Sequence, residues 1–185
     1  VPVGNAIGGG LHSHNKDNPM FQEFLIIPEE GSAKENVKIM NNIYKKLKDL
    51  IDAKEKNDEG AWQTSLNDEE ILEMLKEFNE IRIGIDCASS SFYHDGNYKN
   101  KNKILDREAQ INYVNSLIKD YKIFYCEDPL DEEDFLGFSR IKKSERHLVV
   151  GDDLTVTHID RLKKAIKLNA INAIIVKPNQ NGSLL

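Results

Sequence analysis

The sequence predicts an α/β fold, a parallel sheet or barrel in which strands alternate with helices, left partial at 185 residues. Three observations predict it. From Ile81 onward, short apolar runs alternate with stretches of helical period, the mark of repeating strand–helix units. Four of those runs close on an ionisable residue, Asp86, Glu127, Asp152 and Lys177. A complete α/β barrel usually takes roughly 250 residues, more than are present.

Taken in order, Val1 to Ile7 and Glu23 to Pro28 read as extended segments separated by a loop rich in Gly, His and Asn. From Ser32 to about Lys54, Val37, Met40, Ile43, Tyr44, Leu47, Leu50 and Ile51 fall at helical spacing, and Ser32 with Glu35 forms a capping box. Asn67 caps a second helix to Asn79, with Asp68, Glu69 and Glu70 in its first turn. The repeating part then runs strand Ile81–Ile85, helix Asp106–Asp120, strand Ile123–Tyr125, helix Glu132–Lys143, strand Leu148–Val150, helix Thr157–Leu168 and strand Ala173–Val176. The polar stretch His94–Lys103 is read as an inserted surface loop within one domain.

Composition excludes several function classes. Thirty-one acids against 25 Lys and Arg give a net charge of −6, which argues against a nucleic-acid or anionic-membrane partner. The best apolar runs, Phe24–Ile27 and Ala173–Val176, fall far short of the roughly 20 residues of a membrane helix. The first residues do not read as a basic-then-apolar leader, so a secreted protein is not expected. Cys87 and Cys126, outside any CxxC pattern, suggest buried, reduced thiols and a cytoplasmic setting.

The strand-end residues carry the chemistry. In parallel α/β folds the carboxyl ends of the strands gather on one face, so Asp86, Glu127, Asp152 and Lys177 are expected to converge. Any one acid alone would equally suit a helix cap; the joint pattern does not. Three converging carboxylates repel one another unless a hard, oxygen-preferring cation sits among them, and Mg²⁺ is the expected occupant. Lys177 beside such a cation should lose basicity through repulsion and desolvation, making it a candidate general base. The Gly8–His12 loop and Gln22-Glu23 are weaker signals by themselves, as are Asp58-Glu59-Gly60 and His14.

Taken together, Gly9-Gly10-Leu11-His12, Gln22-Glu23-Phe24, Asp58-Glu59-Gly60, Gly84-Ile85-Asp86, Glu127-Asp128-Pro129-Leu130, Gly151-Asp152-Asp153-Leu154 and Lys177-Pro178-Asn179-Gln180 resemble the enolase family, in the family's order and with an archaeal flavour in Pro178. The resemblance implies a central segment, residues 1–185, of the C-terminal catalytic barrel domain, opening on an antiparallel hairpin. The family's N-terminal domain and last barrel strands are absent from these residues. It implies a lyase, phosphopyruvate hydratase, which reversibly dehydrates 2-phosphoglycerate to phosphoenolpyruvate in glycolysis and gluconeogenesis with Mg²⁺. By matching motif, Asp86, Glu127 and Asp152 correspond to the metal ligands, the latter two also meeting substrate. Lys177 corresponds to the base, Glu59 to the acid supported by Glu23, and His12 and Gln22 to loop residues that close over substrate.

The pattern departs from the family at Gly8, where Asn is usual, and at Asn57 and Ala61, where Gly is usual. It departs again at Ser91, where Glu is usual, and at Asn181. The expected partners are 2-phosphoglycerate and phosphoenolpyruvate, together with further copies in a homo-oligomer or complementing enolase segments. By itself the segment is expected to turn over little substrate. The competing reading is a non-catalytic enolase-like domain that serves as a binding or assembly partner.

Overall fold

A computed structural model describes residues 1–13, 17–29, 31–100 and 103–182, so His14 lies outside the described residues. The chain divides into two compact units, Val1–Asp86 with Tyr121–Ile123, and Cys87–Asp120 with Phe124–Leu185.

The first unit contains β1 (Gly4–Gly8), a short 3-10 turn (Gly10–His12), β2 (Glu23–Pro28), α1 (Ala33–Leu50), β3 (Trp62–Gln63), α2 (Asp68–Leu75) and β4 (Ile81–Asp86). Its sheet runs β4-β2-β1-β3. β1 pairs antiparallel with β2, the opening hairpin that the resemblance implied, with a bulge between Asn5 and Ile7. β2 also pairs antiparallel with β4, whereas β1 and β3 are parallel. The strand–helix rhythm that begins at Ile81 suggested parallel neighbours, yet β4, its first strand, pairs antiparallel with β2. β2 reads as an unbroken apolar run because Phe24, Leu25, Ile26 and Ile27 are all buried.

Both helices of this unit start as expected. Ser32 and Glu35 form the capping box of α1, and Asn67 and Glu70 form that of α2. α1 stops at Leu50 rather than near Lys54, where Asp52 takes a left-handed conformation (φ 47°). The acids at the start of α2 do more than favour the helix dipole. Asp68 is buried and its Oδ1 accepts from the Met20 and Phe21 amides at 2.7 and 3.2 Å, fastening the segment that leads into β2.

The second unit contains β5 (Tyr93–His94), β6 (Asn97–Asn100), β7 (Lys103–Asp106), α3 (Arg107–Asp120), β8 (Tyr125–Glu127), α4 (Phe135–Phe138), β9 (Leu148–Gly151), α5 (Ile159–Lys167) and β10 (Ala173–Ile174). β8, β9 and β10 are parallel neighbours, so here the strand–helix rhythm does produce a parallel sheet.

Two expectations are corrected in this unit. His94–Lys103 is no plain loop: β5, β6 and β7 form an antiparallel meander around an Asp95-Gly96 turn with φ of +53° and +81°. Its buried anchor is Tyr98, whose hydroxyl accepts from the Asp131 amide at 2.9 Å. The helix read over Glu132–Lys143 is a single turn, α4, capped by Asp134. Beyond it the chain tightens into i to i+3 turns, Arg140 N–H to Gly137 O and Ile141 N–H to Phe138 O. These turns still bury Phe135, Phe138 and Ile141 at the same spacing of three.

Cys87 and Cys126 are both buried and, among the described residues, carry no disulfide. Among the described residues, no helix is long and apolar enough to cross a membrane.

Candidate active site

In the first unit, the strand ends form a row. Register pairs Gly8 with Gln63, Gly8 with Glu23, and Glu23 with Asp86, which places Glu23 and Asp86 opposite each other on neighbouring strands. Facing residues of an antiparallel pair project to the same side. Asp86 is buried at the end of β4, and Gln22 Nε2 donates to its Oδ2 at 3.2 Å.

A second group gathers at the loop Asn57–Ala61. His12 Nδ1 lies 3.1 Å from both carboxylate oxygens of Asp58, and its Nε2 lies 3.9 Å from Glu59 Oε1. Asn5 Nδ2 donates to Glu59 Oε2 at 3.1 Å. The imidazole holds the Asp58 carboxyl below its usual value, mainly through their hydrogen bond. Thus His12, Glu59 and the unforeseen Asn5 and Asp58 are brought together. Asp58 stands inside a quoted motif, but no signal in the sequence gave it a partner.

In the second unit, Glu127 is the last residue of β8, and Asp152 follows β9 directly. Lys177 comes three residues after β10, which is shorter than expected. Its backbone is held by Thr157, whose Oγ1 accepts from the Lys177 amide at 2.8 Å. Lys177 Nζ donates to Asp152 Oδ2, and the Tyr125 hydroxyl donates to Glu127 Oε2.

Electrostatics mark this cluster as unusual. Burial pushes the Glu127 carboxyl up to about 7; Asp152 adds to the rise, and Tyr125 and Lys177 oppose it. Asp153 is raised for the same reasons, burial and the charge of Asp152. Partial burial works against the Lys177 ammonium, but the hydrogen bond and charge of Asp152, with Glu127 and Asp153, carry its pKa above the ordinary value. The expected lowering was argued for a lysine beside a bound cation, whereas here the carboxylates supply only negative charge.

Asp128 is a functional neighbour that sequence reasoning left without a role. It is buried, and its carboxylate accepts from the amides of Asp152, Asp153 and Leu154, the Asp153 bond being 2.7 Å. It shapes the turn that presents Asp152. Burial pushes its pKa up to about 8, against the pull of those amides. Backbone strain gathers beside the strand ends as well: Ala88, Asp128, Val156 and Thr157 all have positive φ, between 38° and 53°. For β-branched Val156 and Thr157 this is a real cost, of the kind concentrated at functional sites.

The residues fit a hard cation. Asp152 Oδ1 is buried with no hydrogen-bond partner among the described residues, and Glu127 is a buried carboxylate whose ionised form lacks enough compensating charge. Both are oxygen donors of the kind Mg²⁺ prefers.

The pattern of the family described as "Enolase, C-terminal TIM barrel domain" matches residues 1–185. The chain belongs to the enolase family. It is 37% identical over 200 residues to the enolase of Natronomonas pharaonis, an alignment covering 100% of the chain and 50% of that protein. It is 38% identical over 199 residues to that of Methanocaldococcus jannaschii, covering 100% of the chain and 47% of the relative. With the enolase of Picrophilus torridus the identity is 36% over 200 residues, covering 99% and 50%. The chain therefore spans about half the length of these curated relatives. The family match also agrees with the α/β class read from the strand–helix rhythm.

Proposed function

We propose that the chain supplies metal-binding and acid–base residues to the reversible dehydration of 2-phosphoglycerate to phosphoenolpyruvate. In this reading it works in the cytoplasm, within glycolysis and gluconeogenesis, alongside complementing enolase segments or further copies of itself. The observation that supports this most is the Lys177–Asp152 pair: one side-chain contact joins a candidate base to a carboxylate whose other oxygen has no hydrogen-bond partner among the described residues.

The proton next to a carboxylate is far too weakly acidic to be lost to an amine in water, so charge must be compensated as it leaves. Asp86, Glu127 and Asp152 would hold Mg²⁺, which when bound supplies positive charge beside the substrate carboxylate. Lys177 then removes the α-proton at its Nζ. Its hydrogen bond to Asp152 aims that nitrogen. Glu59, held by Asn5, delivers a proton to the departing hydroxide, with Glu23 supporting it. His12 and Gln22 cover the substrate, and the net charge of −6 makes the cation a condition for admitting a trianionic ligand.

The test is to combine the chain with the complementary part of an archaeal relative and follow phosphoenolpyruvate formation from 2-phosphoglycerate with Mg²⁺. Metal-dependent turnover that disappears with Lys177→Ala is expected. No turnover, together with no Mg²⁺-dependent binding of 2-phosphoglycerate in calorimetry, would leave a non-catalytic binding domain as the better account.

A further inference from the structure

We infer that Asn57 is the positioning residue for Glu59 and that Gly8 is its obligate partner, the bare backbone at Gly8 being what admits the Asn57 side chain. The role of Glu59 as an acid rests on the function proposed above; the Gly8–Asn57 relationship does not.

Four hydrogen bonds fold the Glu59 loop around Asn57. Its Oδ1 accepts from the Glu59 amide at 3.1 Å and from the Ala61 amide at 2.9 Å. Its own amide donates to Ala61 O at 2.9 Å, and its carbonyl accepts from the Gly60 amide at 3.1 Å. Gly60 turns the loop at φ +81°. The far end of Glu59 is fixed separately by Asn5. One side chain thus sets the backbone from which the Glu59 carboxylate projects.

Asn57 can sit there only because residue 8 lacks a side chain. A Cβ on Gly8 would lie 2.2 Å from Asn57 Nδ2, 2.9 Å from its Cγ and 3.3 Å from the Ala61 Cβ. Such a contact is relieved when a neighbour swings away. Asn57 cannot do so without releasing the Glu59 and Ala61 amides, because it is buried and its Oδ1 holds both. Nδ2 is itself buried without a hydrogen-bond partner among the described residues, so the bonds that hold the amide run through its oxygen.

The test is a substitution cycle on the 185-residue chain, read by thermal unfolding and by amide hydrogen exchange. Gly8→Ala is expected to lower the melting temperature in the parent and to cost almost nothing further in Asn57→Gly. The Glu59 and Ala61 amides should exchange roughly tenfold faster in Asn57→Gly. Asn57→Asp, which retains the acceptor, should restore protection of both, a rescue that mere filling of space would not produce. Equal cost of Gly8→Ala in both backgrounds, or unchanged exchange in Asn57→Gly, overturns the inference. If Asn57→Gly does not fold, Asn57→Leu, similar in size but without an acceptor, takes its place in the exchange arm. None of these readouts involves substrate, so their failure leaves the proposed reaction standing, and loss of turnover with the coupling intact leaves the pair standing.

Discussion

Lys177 and Asp152 share one hydrogen bond, from Nζ to Oδ2, and the other carboxylate oxygen of Asp152 is buried with no hydrogen-bond partner among the described residues. A carboxylate half-used in this way, beside a Glu127 raised to about 7 by burial, is poised to gain from a cation. Calorimetric titration of the chain with Mg²⁺ should therefore show binding that Asp152→Ala and Glu127→Ala each abolish. Unchanged affinity in either variant would sink the ligand assignment.

Arg107 and Asp134 form a two-pronged pair, Nε to Oδ2 at 2.6 Å and Nη2 to Oδ1 at 2.9 Å. Asp134 Oδ1 also caps α4 by accepting from the Gly137 amide at 2.8 Å. Arg107→Ala should cost about 1–2 kcal/mol in denaturant unfolding, since the guanidinium is partly solvated. Asp134→Ala should cost about 1 kcal/mol more, because the cap is lost with the pair. Equal losses would mean that the cap contributes nothing.

Lys143 is half-buried, and burial lowers its pKa to about 8, although its ammonium donates to the Phe138 and Ile141 carbonyls at 2.9 and 3.0 Å. Between about pH 8 and 10.5 the unfolded chain holds a proton on this residue that the folded chain has released. Its contribution to stability thus rises with pH across that window and is unfavourable below it. Lys143→Met should be more stable than the parent at pH 7, with the gap closing toward pH 10.5. A gap that stays constant in pH-dependent unfolding would contradict the shift.

Asp68 accepts from two amides of the segment leading into β2. Asp68→Ala leaves the Met20 and Phe21 donors without that carboxylate and should destabilise the chain by about 2–3 kcal/mol. Asp68→Asn, which keeps one acceptor oxygen, should recover part of the loss. A neutral Asp68→Ala would show that Asp68 acts only on its own helix.

The Glu59 loop shows where sequence reading ran out. Asp58-Glu59-Gly60 was visible as a motif, but Gly8 and Asn57 are 49 positions apart, and only the folded loop reveals that one makes room for the other. The β5–β7 meander was missed for a different reason. Polar residues dominate its strands, and among their described residues only Tyr98 is buried, so no apolar alternation marked them.

What the sequence determined by itself was whatever depends on neighbours in the chain: the capping boxes at Ser32 and Asn67, the strand–helix rhythm, and the acids at the ends of β4, β8 and β9. Caps and periodicity are interactions over three or four residues, so they survive in a one-dimensional reading. Tertiary structure alone decided that β2 runs antiparallel to β4, that the helix after Asp134 stops at Phe138, and that Asp128 holds the Asp152 turn. The nearness of Lys177 to Asp152 followed from the gathering of parallel strand ends, but that Nζ donates to Oδ2 of Asp152 was decided only by the fold. These contacts join residues far apart in the chain, and closing such loops has an entropic cost that only the packing of the surrounding strands offsets.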